Sequence, residues 1–258
     1  MFADPRRAAR RSDARGCPAV RASWGEGMVY VRFSGVLFDL WGTLVPPFPK
    51  KEHQAALDNC ATQLGVPCAA LRGAWLEAFG RRALGRDRTM AEHFRSILQR
   101  MGVEAGASGV GAAEGVYLRF IRDVLVPVGG ALEVLRFLKE KGIPFAVVSN
   151  CGPDVPQVWD QTPLARFCGV CVFSCEIGVL KPDAGIYHHA LSAMGLDPRQ
   201  ALYVGDGSDR ELSGASRCGM HPLLVRVDLS NTYDPVRLDV EDWQGDSVDS
   251  LSEISALL

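Results

Sequence analysis

No apolar run in this 258-residue chain approaches the roughly 18 residues that a membrane-spanning helix needs. A helical membrane span is therefore excluded. Charge of one sign is also missing. The 28 Lys and Arg are balanced by 30 Asp and Glu, giving a formal net charge of −2. Such a balance offers no electrostatic footprint for nucleic acid or for an anionic membrane surface. No internal repeat is visible. The eight cysteines are scattered, several of them in apolar strand-like contexts, and lack the spacing of a disulfide framework. They read as reduced, buried thiols of a cytoplasmic protein.

Apolar material is plentiful. The chain is 47% hydrophobic and 22% charged, enough to build one large or two small domains. Residues 1–30 stand apart, with Arg6, Arg7, Arg10, Arg11, Arg15 and Arg21 and no apolar stretch of signal-peptide type. They are expected to be a disordered tail, with Met28 as an alternative start.

The stretch around which the chain is organised is Val36-Leu37-Phe38-Asp39-Leu40-Trp41-Gly42-Thr43-Leu44. An apolar run ending in an aspartate and a Gly-Thr turn fits a buried parallel strand, and in open α/β sheets ligands bind beyond the carboxyl ends of such strands. Pro46, Pro47 and Pro49 then interrupt regular structure. Residues 47–123 carry apolar positions at helical spacing and predict an insertion of about four helices. From Pro127 onward, helix and strand patterns alternate. Strands are expected at Phe145 to Asn150, Gly169 to Ser174, Ala201 to Gly205 and Pro222 to Val227. Helices are expected at Leu132 to Lys141, Pro153 to Trp159, Asp183 to Met194 and Leu212 to Cys218. Alternation of this kind predicts an α/β fold, a doubly wound parallel sheet.

Three strands end in polar residues: Asp39, Ser149-Asn150 and Asp206. Lys181-Pro182 falls between the last two. Parallel strands bring these residues to one sheet edge. Two carboxylates, a hydroxyl and a lysine there suit Mg²⁺ and a phosphate, because Mg²⁺ takes oxygen ligands and few of them from protein.

In these residues the chain resembles the haloacid dehalogenase superfamily, in the branch with a helical cap inserted after the first motif. Asp39-Leu40-Trp41-Gly42-Thr43 matches the first motif, Ser149 the second and Lys181-Pro182 the third. Gly205-Asp206 followed by Glu211 matches the fourth. The resemblance spans about residues 33–227. It implies a Rossmann-like core of residues 31–46 and 124–235, a cap at 47–123 and a C-terminal extension at 236–258. By the same resemblance Asp39 is the nucleophile, forming an aspartyl-phosphate. Thr43 and Ser149 hold phosphoryl oxygens, with Gly42, Trp41 and Asn150 beside the substrate. Lys181 neutralises charge. Mg²⁺ is held by Asp39, Asp206, Glu211 and the main-chain carbonyl of Trp41. Asp209 is the alternative to Glu211 as second acid of the fourth motif.

One departure matters. Phosphatases of this family carry an aspartate two residues after the nucleophile, which protonates the leaving oxygen. Here that position is Trp41, without a titratable proton near neutral pH. The family's 2-haloacid dehalogenases carry an aromatic residue there. The expected function is a Mg²⁺-dependent phosphatase of a small phosphorylated metabolite. The alternatives are a 2-haloacid dehalogenase-like hydrolase or a catalytically quiet phosphate-binding protein. No nucleic-acid or membrane partner is expected, and the chain is expected to be a monomer or homodimer.

Other features read as packing or surface. The cap arginines Arg72, Arg81, Arg82, Arg86 and Arg88 read as a solvated helix face, one of which could instead reach an anionic substrate. Cys168, Cys171 and Cys175 read as buried thiols. His188 and His189 read as packing or surface, and His53 as packing rather than as a stand-in proton donor. Trp75 and Phe79 read as cap core.

Overall fold

The computed structural model describes residues 33–104 and 106–258. The Arg-rich stretch expected to be a tail lies outside the described residues. Strand β1 (Gly35–Phe38) is buried along its whole length. It is followed by a helical stretch: α1 (Lys50–Leu64), α2 (Cys68–Glu77), α3 (Phe79–Ala83), α4 (Met90–Arg100) and α5 (Ala107–Val124). Alternation then sets in. The order is α6 (Ala131–Lys141), β2 (Phe145–Ser149), α7 (Asp154–Val158), β3 (Val170–Phe173), α8 (Ser174–Ile177) and α9 (Ala184–Met194). It continues with β4 (Ala201–Gly205), α10 (Glu211–Arg217), β5 (His221–Val225), α11 (Leu238–Glu241) and β6 (Ser247–Val248).

The six strands form one sheet in the order β3-β2-β1-β4-β5-β6, with every neighbouring pair parallel. The expected doubly wound α/β architecture is what the chain adopts. Strand β1 lies between β2 and β4, with Phe38 opposite Val147 and Val204. This register puts Asp39 and Asp206 just beyond the ends of β1 and β4, beside Ser149, the last residue of β2 and paired with Phe173 of β3. Side chains alternate across the sheet. Val36 and Phe38 join the core shared with the helical insertion, while Leu37 packs on the other face with Ile186, Tyr187 and Leu191 of α9. The insertion and the sheet are continuous in packing, because Leu57, Trp75, Phe94 and Tyr117 belong to the same buried cluster as Phe38 and Leu40.

Two elements depart from expectation. The insertion has five helices rather than about four, because Ala78 (φ −86°, ψ 5°) leaves helical geometry and separates α2 from α3. The tail is also better integrated than its polar composition suggests. Strand β6 pairs with β5 through Leu224 and Val225, and Leu251 and Ile254 are buried against α6 and its neighbours. No described helix is long and apolar enough to cross a membrane.

Candidate active site

Asp39 is the first residue after β1, and its backbone N–H donates to the Val204 carbonyl at 2.9 Å. The turn that follows is built on Gly42, whose φ is +79°. A Cβ there would fall 1.6 Å from Asp206 Oδ2, so only glycine lets the first strand's turn approach the fourth strand's acid. Asp39, Thr43, Ser149, Lys181, Asp206 and Glu211 are all buried.

A chain of ion pairs organises the centre. Lys181 Nζ is paired with Asp39 Oδ1 and, at 2.6 Å, with Glu211 Oε2. Glu211 has no lone oxygen left. Oε2 also accepts from Tyr203 Oη at 2.8 Å, and Oε1 accepts from the Gly207 N–H at 3.1 Å. Gly205 leaves room for this, since a Cβ on it would lie 2.3 Å from Glu211 Oε1. Asp206 Oδ1 accepts from the Ser208 N–H at 3.1 Å, and Oδ2 is in ion-pair contact with Arg237. Arg237 Nη1 also donates to the Asp206 carbonyl at 3.2 Å, and its Nε pairs with Asp234 at 3.0 Å. Asn150 ties two motifs together: its Oδ1 accepts from the Lys181 N–H at 2.8 Å, and its Nδ2 donates to the Lys181 carbonyl at 3.1 Å.

Burial dominates the titration of this cluster. It pushes the Asp39 carboxyl up to about 6, against the pull of Lys181 and with the help of Asp206. It pushes Glu211 up to about 8, with Asp39 adding to the rise and Lys181 opposing it. Burial also works against the Lys181 ammonium, but Asp39 and Glu211 outweigh it and keep the lysine charged.

These pairings give two expected results. Lys181→Met leaves two carboxylates buried without their shared cation, and is expected to lower stability by roughly 3–5 kcal/mol in thermal or urea denaturation. The second concerns pH. Glu211 holds its proton to higher pH in the folded chain than in the unfolded one. Unfolding therefore releases a proton, and stability falls as pH rises toward 8. Buried His53 and His93, pushed by burial down to about 3 and 4, act in the opposite sense only below about 6.5. Metal-free protein is expected to melt at a lower temperature at pH 8 than at 6.5. Glu211→Gln should flatten this difference, by up to about 1.4 kcal/mol per pH unit.

Three carboxylates (Asp39, Asp206, Glu211) lie with one oxygen each within 4.8 Å of the others. With all ionised they share two cations, Lys181 and Arg237, and Arg237 is also paired with Asp234, so the set is net negative. Asp39 Oδ2 is buried with no hydrogen-bond partner, and Asp206 Oδ2 accepts no aligned hydrogen bond despite touching Arg237. An all-oxygen, net-negative, under-satisfied set fits a hard divalent cation. Two hydroxyls nearby in the fold, Thr43 Oγ1 and Ser149 Oγ, are likewise buried and unpartnered among the described residues. The cluster opens into a cavity of about 340 Å³, whose wall includes Asp39, Trp41, Ser149, Asn150 and Lys181. Thr43 is not part of that wall. An anion entering beside Asp39 would meet a carboxylate, an ammonium and a free hydroxyl.

The family model for haloacid dehalogenase-like hydrolases matches residues 33–219, which includes every residue of the ion-pair chain except Asp234 and Arg237. The chain belongs to the haloacid dehalogenase-like hydrolases. It is 31% identical over 166 residues to a glyceraldehyde 3-phosphate phosphatase of Methanopyrus kandleri, covering 63% of this chain and 70% of that one. It is 27% identical to a ribulose-1,5-bisphosphate 5-phosphatase of Halopiger xanaduensis, over 87% of this chain and 99% of the relative. In fold it superposes on a 2-haloacid dehalogenase of Pseudomonas syringae with a TM-score of 0.61, at 23% identity, covering 86% and 96% of the two chains.

Within this hydrolase the sequence-derived residues converge unevenly. The structure groups Glu211, not Asp209, with Asp39 and Asp206. Asp209 has φ +52° and takes Asn150 Nδ2 at 2.8 Å on the cavity rim. Asn150 serves chiefly as a clamp on Lys181. Arg82 does not sit on a solvated face: it is buried and lines the cavity. Its neighbours fit the surface reading better, Arg81 pairing with Asp87 at 2.9 Å and Arg72 with Asp58 at 3.3 Å. Trp75 is core, whereas Phe79 is partly exposed on the cavity wall. His188 and His189 are exposed. Cys168, Cys171 and Cys175 are half-buried and free rather than fully buried. Arg237, Tyr203 and Tyr187 carry no motif that marks them in the sequence, yet they help to build the cluster. Tyr187 Oη donates to the Glu211 carbonyl at 3.0 Å, completing the setting of that acid.

Proposed function

We propose that this hydrolase is a Mg²⁺-dependent phosphatase of a small phosphorylated metabolite, with Asp39 as nucleophile and a turnover that favours good leaving groups. The observation that carries this reading is the set of buried, unpartnered oxygens: Asp39 Oδ2, Ser149 Oγ and Thr43 Oγ1. Buried polar atoms are rarely left unsatisfied: a phosphoryl oxygen would accept from the Ser149 hydroxyl on the cavity wall, and Asp39 Oδ2, an acceptor with no donor, is left free to face phosphorus or a cation. The phosphatase names of the relatives support the substrate class.

In this reading Asp39 attacks phosphorus, the ester oxygen leaves, and an aspartyl-phosphate forms that water then hydrolyses. Lys181 is held between Asp39 and Glu211, so its charge is aimed at the phosphoryl oxygens before substrate arrives. Glu211 is a positioning residue for that lysine. Ser149, on the cavity wall, donates a hydrogen bond to the transferred group, whereas Thr43, expected to do the same, lies off that wall. Asp39 and Asp206 would hold Mg²⁺, which when bound supplies positive charge for the phosphoryl oxygens. The proton for the leaving oxygen is what this chain does not provide at position 41. Trp41 packs edge-on against Phe48, with ring centroids 4.9 Å apart, and presents an apolar face to the cavity.

That same feature favours a second reading, a dehalogenase, because halide leaves without a proton. The deciding experiment is release of phosphate from a panel of esters, and of halide from a 2-haloacid, each with Mg²⁺ and with EDTA. Phosphate release that EDTA abolishes supports the phosphatase. Halide release that persists in EDTA, with no phosphate release, overturns it.

A further inference from the structure

Among the described residues, three cations line the cavity: Lys181, Arg237 and Arg82. The first two are committed within the protein, Lys181 to Asp39 and Glu211, Arg237 to Asp206 and Asp234. Arg82 has no ion pair among the described residues. It is 9% exposed. A guanidinium taken out of water without a carboxylate costs stability unless a partner arrives.

Its setting is a built one. Arg82 Nη1 donates to the Trp75 carbonyl at 2.7 Å. The guanidinium lies 4.7 Å from the Trp75 ring centroid and 5.0 Å from that of Phe79, in cation–π range. These contacts fix the side chain and spend one donor. Its other N–H groups make no hydrogen bond among the described residues. Asp154 is the carboxyl that faces Arg82 from α7, and it stays beyond ion-pair distance with Oδ1 unpartnered. Burial pushes that carboxyl up, with Arg82 pulling it back down.

We propose that Arg82 is a specificity-determining residue that receives a second anionic group of the substrate, a carboxylate or a second phosphate. The substrate class is then a phosphate monoester of a small body carrying another oxyanion. Trp41, Phe48, Phe79 and Tyr117 give the middle of that molecule an apolar wall. This rests on the phosphatase reading of Asp39, and the test separates the two.

Three esters of similar shape serve as probes: 4-carboxyphenyl phosphate, 1,4-phenylene bisphosphate and the neutral 4-carbamoylphenyl phosphate. A charge-assisted contact predicts that kcat/KM for one of the charged esters exceeds that of the neutral one by roughly 10- to 100-fold. Which charged ester leads identifies the second group. Arg82→Met is expected to remove the preference through KM, and Arg82→Lys to keep part of it. Equal kcat/KM for all three with the parent protein, or a preference that survives Arg82→Met, overturns the proposal while leaving the phosphatase intact. Should none be turned over, the phosphatase reading falls alone. The Asp39→Asn protein then compares the same three compounds by thermal shift, where a larger shift with a charged compound supports the Arg82 site. Equal shifts, or none, overturn it. The parent's ranking of ligands needs no Arg82 variant to fold.

Discussion

Asp39→Asn is expected to lower phosphate release by roughly 10⁴-fold or more while leaving a folded protein. On the phosphatase reading, the rate loss follows from removing the nucleophile. An amide oxygen is a poor nucleophile toward phosphorus, and no neighbouring carboxylate can take over. Glu211 is fully hydrogen-bonded to Lys181, Tyr203 and Gly207, and Asp206 is turned to Arg237 and Ser208. Folding survives because Lys181 keeps Glu211 at 2.6 Å, so no buried lysine is stranded. The substitution also removes one of three mutually repelling carboxylates. Phosphate release from p-nitrophenyl phosphate with Mg²⁺, beside a melting curve, checks both halves. Retained release in a well-folded variant would mean that water, not Asp39, attacks.

Trp41→Asp is the second large effect, and its sign is positive. General acid catalysis contributes roughly 10²–10⁴-fold, and most where the leaving oxygen is basic. The parent protein is therefore expected to hydrolyse aryl phosphates far better than alkyl phosphates. A carboxyl at position 41 is expected to raise kcat/KM on alkyl phosphates by roughly 10-fold or more, with little change on p-nitrophenyl phosphate. Measuring kcat/KM across a series of leaving groups gives the two slopes. The variant's slope should be shallower. An equal gain on both classes, or none on either, would show that position 41 does not control protonation here. The new carboxyl would adjoin a cluster that already holds three acids, so it is expected to retain its proton to higher pH than a free aspartate.

Much of this site was legible because local pattern and chemistry coincide at the strand ends. Val36-Leu37-Phe38 is apolar on both faces, as a strand between β2 and β4 must be, so the polar residue after it was conspicuous. The same held for Ser149 and Asp206. Lys181 was found from the third motif, and its pairing with Asp39 across 142 positions is a product of topology rather than of local sequence. What stayed hidden was packing that depends on tertiary approach. Arg82 lies among other arginines, and nothing in their spacing marks it as the one buried against Trp75. Glu211 and Asp209 are two residues apart, and the backbone of the loop at Asp209 and Arg210, both with positive φ, decides which one enters the cluster. Arg237 stands between Val236 and Leu238, both exposed, in a segment without periodicity. Nothing local marks it as a partner for an aspartate 31 positions earlier.

That partnership bears on how the fold can be cut. The family match ends at residue 219, yet Thr232, Tyr233, Asp234 and Arg237 help to wall the cavity, and Tyr233 Oη sits 2.7 Å from His53 Nδ1 on α1. The segment after β5 thus works as a strap, fastened at one end to the helical insertion and at the other to Asp206. An expression boundary drawn where family likeness stops would keep every motif residue but leave Asp206 without its counter-charge and the cavity open on one side. The unit that closes this cavity extends past the recognisable family portion, and grafting or trimming should respect the longer boundary.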